Sequence, residues 1–413
     1  SLQIIFRCCN EVFGEKNFEG HIHWRRRHNQ PNDKTKMIGI VAEHILVYAK
    51  DSVYLKQAGV GKLDLTATFT NADNDPKGPW ASKPWKTGSD QNGSRYKITT
   101  PTGKVLDEEW MGDETTYKKY LKEGRMYFPK GGDGMPRKKY YQFEREGEGQ
   151  CATNWWSHEQ FGHNQGANDC MTDLFGVKNV FSNPKPIELL RAIIKVANVK
   201  DGEVVLDFFS GSASTAHALM KLNSEENGKR KYILVQVPEQ CTEKSEAYKL
   251  GYENICQIGQ ERIKRAAKKI KEEANANIDY GFRVFKVDTT NMNEVYYAPS
   301  DYSQGFLNQL ESNIKPDRTD LDLLFGCLLE WGLPLSLPYS SEKIEGYTVH
   351  NYNDGDLIAC FDENIPDSVI KEIAKQQPLR AVFRDSSFAG SPSKINVGEI
   401  FKLMAPDTTV KVI

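Results

Sequence analysis

No stretch of this 413-residue chain is long and apolar enough to span a bilayer, and its start carries no signal-peptide pattern. A soluble, cytoplasmic protein with no membrane partner is the expectation. The eight cysteines, Cys8, Cys9, Cys151, Cys170, Cys241, Cys256, Cys327 and Cys360, include no Cys-x-x-Cys pair, and no histidines are paired at zinc-finger spacing. Reduced, mostly structural thiols and no metal centre follow. A Gly-x-Gly-x-x-Gly turn is missing too, so a dinucleotide oxidoreductase fits poorly. Net charge is nearly absent: 54 Lys and Arg against 56 Asp and Glu leave −2.

What is present is an ordinary globular composition, 39% hydrophobic and 27% charged, with length enough for two or three domains. The near-zero average hides clusters. Residues 21–50 hold six Lys or Arg against two acids, and residues 118–145 hold nine against three.

The chain is organised around residues 185–239. Aliphatics at Leu189, Leu190, Ile193 and Ile194 predict a helix over 186–199, closed by the turn pair Asp201-Gly202. Val204-Val205-Leu206 predicts a short strand buried on both faces of a parallel sheet. After Asp207-Phe208-Phe209 come only small residues, Ser210-Gly211-Ser212-Ala213-Ser214-Thr215, and then a helical run from Ala216. This order places backbone N–H groups of a tight turn at a helix N-terminus, facing a ligand at the carboxyl edge of the sheet. A Gly-Ser turn also occurs for packing alone, and that reading stays open. A second strand over 232–237 ends at Pro238-Glu239.

Three segments carry a resemblance: Phe181-Ser-Asn-Pro-Lys-Pro-Ile-Glu-Leu-Leu, Val205-Leu-Asp-Phe-Phe-Ser-Gly-Ser-Ala-Ser-Thr-Ala-His-Ala, and Tyr232-Ile-Leu-Val-Gln-Val-Pro-Glu. Together they resemble the S-adenosylmethionine-binding half of β-class adenine-N6 DNA methyltransferases, and more narrowly the modification subunits of type III restriction-modification systems. The resemblance implies an α/β, Rossmann-like S-adenosylmethionine-dependent methyltransferase fold with an inserted target-recognition region. It implies that Asn183, Lys185, Pro186, Asp207, Phe208, Phe209, Ser210, Gly211 and Ser212 hold the cofactor, with Gln236 or Glu239 on its ribose. Two residues depart from the family pattern: Ala213 where a glycine is usual, and Gln236 where an acid is usual.

Taken in order, residues 2–13 predict an amphipathic helix ended by Gly14, with no start signal before it. His21-Ile-His-Trp and Glu43-His-Ile-Leu-Val-Tyr-Ala predict an antiparallel hairpin at a sheet edge. Residues 1–50 resemble the last strands of the methyltransferase sheet. Residues 51–175 are rich in Gly, Pro, Trp, Tyr and Lys. Bases suit phosphates and aromatics suit an unstacked base; equally, the aromatics suit the core of a small α+β domain. The resemblance places the target-recognition region here, and Arg25, Arg26, Arg27, Arg125, Arg137, Lys138 and Lys139 are the candidates for contact with double-stranded DNA. Residues 176–290 form the cofactor half. Within it, 247–273 predicts a solvated helix over the sheet, with DNA contact as the alternative, and 280–288 alternates as a closing strand. Residues 291–413 predict a C-terminal α+β domain, similar to the part of type III modification subunits that implies a homodimer and a restriction-subunit partner. Asp385-Ser386-Ser387 in it is read as a turn or cap.

The resembled family orients its flipped adenine with an Asp-Pro-Pro-Tyr tetrapeptide. No Asp, Asn or Ser followed by Pro-Pro and an aromatic occurs in this chain. The expectations are that roughly the first third of the parent protein precedes Ser1, that no catalytic residue can be named here, that the sheet has a gap or a substitute packing over it, and that the chain alone does not methylate. The alternative is a non-catalytic DNA-binding and dimerisation module.

Overall fold

The structure, a computed structural model, describes residues 2–30, 34–35, 37–66, 68–145, 147–274, 276–293 and 314–413. The chain splits into two compact units, Ser1–Tyr280 and Gly281–Ile413.

In the first unit, helix α1 (Leu2–Phe13) ends where Gly14 takes φ 83°, as predicted. Phe6 packs edge-on to Phe18 at 5.2 Å, and the Tyr48 hydroxyl donates to Asn10 Oδ1 at 2.6 Å. Strands β1 (Phe18–Arg25) and β2 (Ala42–Tyr48) form the expected antiparallel ribbon. Alternation sends Ile22, Trp24, Ile45 and Val47 inward and His21, His23 and His44 to the opposite face. The Asn17 side chain clamps the ribbon, donating to the Phe13 and Lys50 carbonyls and accepting from the Ser52 N–H. Helix α2 (Ser52–Ala58) starts on an Asp51 cap.

The chain then leaves this sheet and returns beside itself, because Leu63 bridges Gln150. Between them lie β3 (Trp80–Pro84), β4 (Ser94–Thr99), β5 (Val105–Trp110), α3 (Glu114–Lys122), β6 (Met126–Tyr127) and β7 (Arg137–Tyr141). These strands form an antiparallel sheet of order β3-β7-β6 and a separate β4-β5 hairpin. Trp85, Ile98, Trp110, Tyr117 and Met126 build its core. Most of the aromatics weighed as base platforms are therefore core residues.

After the return come β8 (Trp155–Trp156), α4 (His158–Phe161) and α5 (Asn164–Phe175). Strand β8 pairs in parallel with β1, giving the order β2-β1-β8, so the hairpin contributes only β2 to that edge. The segment expected to hold the cofactor follows as α6 (Ile187–Val196), β9 (Val204–Asp207), α7 (Ser214–Glu226), β10 (Lys231–Leu234), α8 (Glu246–Lys249) and α9 (Ile255–Ala274). Strands β9 and β10 are parallel. Among the described residues they pair with no third strand, so the sheet is interrupted where a gap is expected.

One expectation fails here. Strand β9 is covered on one face only: Val205 and Tyr232 pack on Ile194, Leu219 and Leu222 of α6 and α7, while Val204 and Leu206 are 50% and 58% exposed. A continuous aliphatic run shows that both sides of a strand are apolar; it does not supply the second layer.

The second unit contains α10 (Asp320–Glu330), β11 (Tyr339–Ile344), β12 (Tyr347–Tyr352), β13 (Leu357–Cys360), α11 (Asp367–Lys375), β14 (Arg380–Phe383), α12 (Ser391–Met404) and β15 (Thr409–Val412). Its sheet runs β11-β12-β13-β14-β15, antiparallel in the first half and parallel from β13 onward. Helix α10 packs on one face, and α11 and α12 on the other. The helical crossovers make this a mixed α/β layer arrangement, not the α+β domain expected, because β15 was not foreseen. Asp385–Ser387 is a 3-10 turn, in line with the turn reading. Residues 280–288 form no strand: alternation needs a partner edge, and Val287 is exposed instead.

Candidate cofactor and DNA-contact sites

The small-residue turn follows β9 and leads into α7, as its composition predicts. Gly211 and Ala213 both sit in the left-handed region, at φ 51° and 58°. For Ala213 that conformation costs roughly 1 kcal/mol that a glycine would not incur. Two elements hold the turn against that cost. From below, Gly259 of α9 lies so close that a Cβ there would meet the Gly211 carbonyl at 3.4 Å. One helical turn on, the fully buried Arg262 Nη1 donates to Ser212 Oγ at 2.7 Å and Ser214 Oγ at 2.6 Å. From the side, β10 and its continuation take the amides: Ser210 N–H donates to the Val235 carbonyl and Gly211 N–H to Gln236 Oε1 at 2.7 Å.

This corrects the expectation that the amides around Gly211 face a ligand. Phe209 N–H is likewise bound to Asp207 Oδ1 and Ala213 N–H to the Ser210 carbonyl. The other Asp207 oxygen accepts from the Thr215 hydroxyl at 2.6 Å. Asp207 shapes the turn first. Gln236 does the same, which leaves Glu239, exposed beyond β10, as the acid at the strand end.

Asp207, Phe208 and Phe209 nonetheless line a cavity of about 290 Å³ with Leu190, Val205 and Thr215. Phe209 is 80% exposed, and its ring lies 5.1 Å from that of Phe208. Ser210, Gly211 and Ser212 are not part of that lining, and Phe181 packs on Gly211. Lys185 and Pro186 go elsewhere. Lys185 Nζ donates to Glu43 Oε2 at 2.8 Å, above Trp24, and Pro186 presses on Gly162, so both tie α6 to the first sheet. Asn183 lines a second, polar basin of about 550 Å³ with Arg26, Arg27, His28, His163 and Asn168.

The charge neighbouring the turn is unusual. Among the described residues Arg262 Nε and Nη2 have no well-formed hydrogen bond, the Cys170 thiol lies beside the guanidinium, and burial pulls that group down to about 10. Burial first, then Arg262, Lys221 and Lys269, lower His217 on α7 to about 3. Helix α9 is the expected solvated helix with a narrow apolar stripe, its Lys264, Lys268, Lys269 and Lys271 exposed, except that the stripe also takes in Arg262. Ile258, Arg262, Ala266 and Ile270 recur every fourth residue along its buried face. That spacing was the available signal for Arg262, masked by the bases around it.

The DNA candidates divide by strand parity. On β7, Lys139 and Tyr141 point inward: Lys139 is 4% exposed and bridges Asp73 and Asp75, and Tyr141 donates to Asp75 at 2.8 Å. Burial raises Asp75, but hydrogen bonds from Lys139, the Lys77 amide and Tyr141 outweigh it and hold the carboxyl at about 2. Arg125 forks onto Glu144, and Arg137 donates to Ser82 Oγ and its carbonyl. Arg125 and Lys139 thus hold the region together and are withdrawn as DNA contacts. Lys138 lies on the other face, half-buried, 3.9 Å from the Tyr120 ring and 5.0 Å from that of Tyr140, which Lys83 and Arg145 also approach at 5.3 and 5.9 Å. Sequence reading missed Lys83, which the β3–β7 register sets opposite Lys138, and Arg145, which the 3-10 turn after β7 carries back and which also pairs with Glu148 at 2.6 Å. Near the first sheet, Arg25 donates to the Arg27 and His28 carbonyls and Arg26 pairs with Glu43, while Arg27 is exposed at the polar basin.

The chain is 38% identical over 285 residues to the type III restriction-modification enzyme StyLTI Mod subunit of Salmonella typhimurium, covering 68% of this chain and 43% of that protein. It is 26% identical to the EcoP15I Mod subunit of Escherichia coli over 98% of this chain and 66% of that protein. Against the type II methyltransferase M.KpnI of Klebsiella pneumoniae it is 27% identical, covering 62% of this chain and 64% of the relative. The chain thus spans 43% to 66% of the length of these relatives. Residues 2–272 match the N6_N4_Mtase family, and on that match the chain belongs to the DNA methylases.

Proposed function

We propose that this chain carries the S-adenosylmethionine-binding and target-recognition parts of a site-specific DNA adenine-N6 methyltransferase, of the kind that serves as modification subunit in a type III restriction-modification system. The observation that carries it is the Asp-Phe-Phe-Ser-Gly-Ser turn between β9 and α7, with Asp207, Phe208 and Phe209 lining a cavity at the strand end. The lining suits a nucleoside, with apolar walls and two aromatic faces for an adenine; Glu239, exposed beyond β10 and outside that lining, is the acid we assign to a ribose hydroxyl. When bound, S-adenosylmethionine supplies the methyl group. This chain's residues hold the turn through Asp207, Gln236 and Arg262. Lys83, Lys138 and Arg145 around Tyr140 meet the phosphates of double-stranded DNA. The unit Gly281–Ile413 serves a second copy and a restriction subunit.

The chain holds no Asp-Pro-Pro-Tyr tetrapeptide to orient an adenine amine, so it binds cofactor without turning it over. Calorimetric titration with S-adenosylmethionine tests this. Micromolar binding that is lost in Asp207→Ala, with no labelled methyl passed to duplex DNA, is the expected result. Absence of binding would instead favour a non-catalytic DNA-binding and dimerisation module. One observation speaks for that second reading: four amides of the turn are already bonded within the protein.

A further inference from the structure

The outward face of the β1–β2 ribbon carries three histidines that the proposed reaction does not use. His21 and His23 are two residues apart on β1 and share a face, and His44 stands opposite His23 in the ladder. The three rings are 4.2, 5.0 and 5.2 Å apart between centroids. His21 Nε2 lies 3.0 Å from His44 Nδ1, and one ring nitrogen of each residue falls within 4.8 Å of the other two. Two of the rings are half-buried and His44 is exposed, so the group is open to solvent on one side.

Chemistry narrows what such a trio would take. Imidazole nitrogens bind zinc at about 2.0–2.1 Å, and tetrahedral geometry then spaces them about 3.3 Å apart. The present separations straddle that value, so side-chain rotation closes the set with the ladder left intact. An all-imidazole set with no carboxylate disfavours magnesium and calcium and suits zinc, copper or nickel. The remaining cation on this face, Arg25, turns its guanidinium to the Arg27 and His28 carbonyls at 3.2 Å.

We propose that His21, His23 and His44 form a three-imidazole site for a divalent transition metal of the zinc class, with a fourth position open to water or an external donor. Because its ligands come from both strands, a bound ion joins the edge strand β2 to β1 and stabilises the ribbon. Sequence spacing concealed the site, since 21 residues separate His23 from His44 and only the strand register reunites them.

Titration of the chelator-stripped full chain with Co2+, followed by displacement with Zn2+, tests the proposal. Expected are one equivalent of Co2+ with tetrahedral visible absorption, its loss on adding Zn2+, and a melting temperature raised by the ion. His21→Ala and His44→Ala should each weaken binding by more than the roughly tenfold that loss of an outer-shell partner costs. His28→Ala alters a second group of rings, formed with His158 and His163, and should leave binding unchanged. Circular dichroism confirms that each variant folds, and His23→Gln replaces any that does not. Failure to bind either ion, binding that survives His21→Ala, or binding lost equally in His28→Ala would overturn the assignment. S-adenosylmethionine binding is read separately, so the two proposals fail independently.

Discussion

Arg262 carries a charge into the interior with two serine hydroxyls and one carbonyl on Nη1, while Nε and Nη2 have no well-formed hydrogen bond among the described residues. A buried ion held so incompletely adds little stability, and an apolar side chain of similar volume is often neutral or better. What the guanidinium does supply is a fixed Ser212–Ser214 turn. Arg262→Met is therefore expected to keep the melting temperature within a few degrees while weakening S-adenosylmethionine binding about tenfold, the worth of one or two lost hydrogen bonds. Calorimetry beside a thermal melt checks both halves. His217 gives the pH counterpart. Its folded value, about 3, lies far below the ordinary 6.5. The unfolded chain takes up a proton below pH 6.5 that the folded chain refuses until about pH 3. The stabilisation is therefore whole above 6.5 and is lost as pH falls across that window, at up to about 1.4 kcal/mol per pH unit. His217→Gln should flatten that limb in urea melts between pH 7 and 4, and an unchanged slope would contradict the burial argument.

Single elements show why charge runs are poor guides by themselves. Arg137-Lys138-Lys139 looks like one basic patch, yet β7 alternates, so Lys139 becomes a buried pin while Lys138 lies on the other face. Lys139→Met takes the cation away from half-buried Asp75 and exposed Asp73. Losing these charge-assisted hydrogen bonds costs about 1.5–3 kcal/mol. A lowered urea midpoint should report it, with hydrogen exchange locating the loss at β3 and β7. Lys138→Ala forfeits its contacts with the Tyr120 and Tyr140 rings, worth about 1 kcal/mol, and should also weaken duplex binding and reduce its salt slope by about one. The order β9, turn, α7 was legible because strand, small-residue turn and helix each follow local rules. The β3–β7 and β1–β2 registers were not, since pairing is settled between segments distant in sequence. The aromatic content of 51–175 showed a core as readily as a binding surface, and packing decided for the core.

For the whole molecule, the pattern of elements predicts a boundary near residue 290, and the units divide at Tyr280 and Gly281. The ten-residue difference traces to 280–288, whose alternation has no strand to pair with. Arg283 instead donates to the Leu335 and Leu337 carbonyls inside the second unit. No described helix is long and apolar enough to cross a membrane. The family match over 2–272 coincides closely with the first unit. That unit includes the uncovered side of the β9–β10 pair, where Val204, Leu206, Ile233, Val235 and Val237 are each at least half exposed. Two parallel strands with a wetted aliphatic row invite other chains to dock edge to edge or face to face. In a concentrated preparation, clumping would begin at this surface, and crowding would limit handling before heat does.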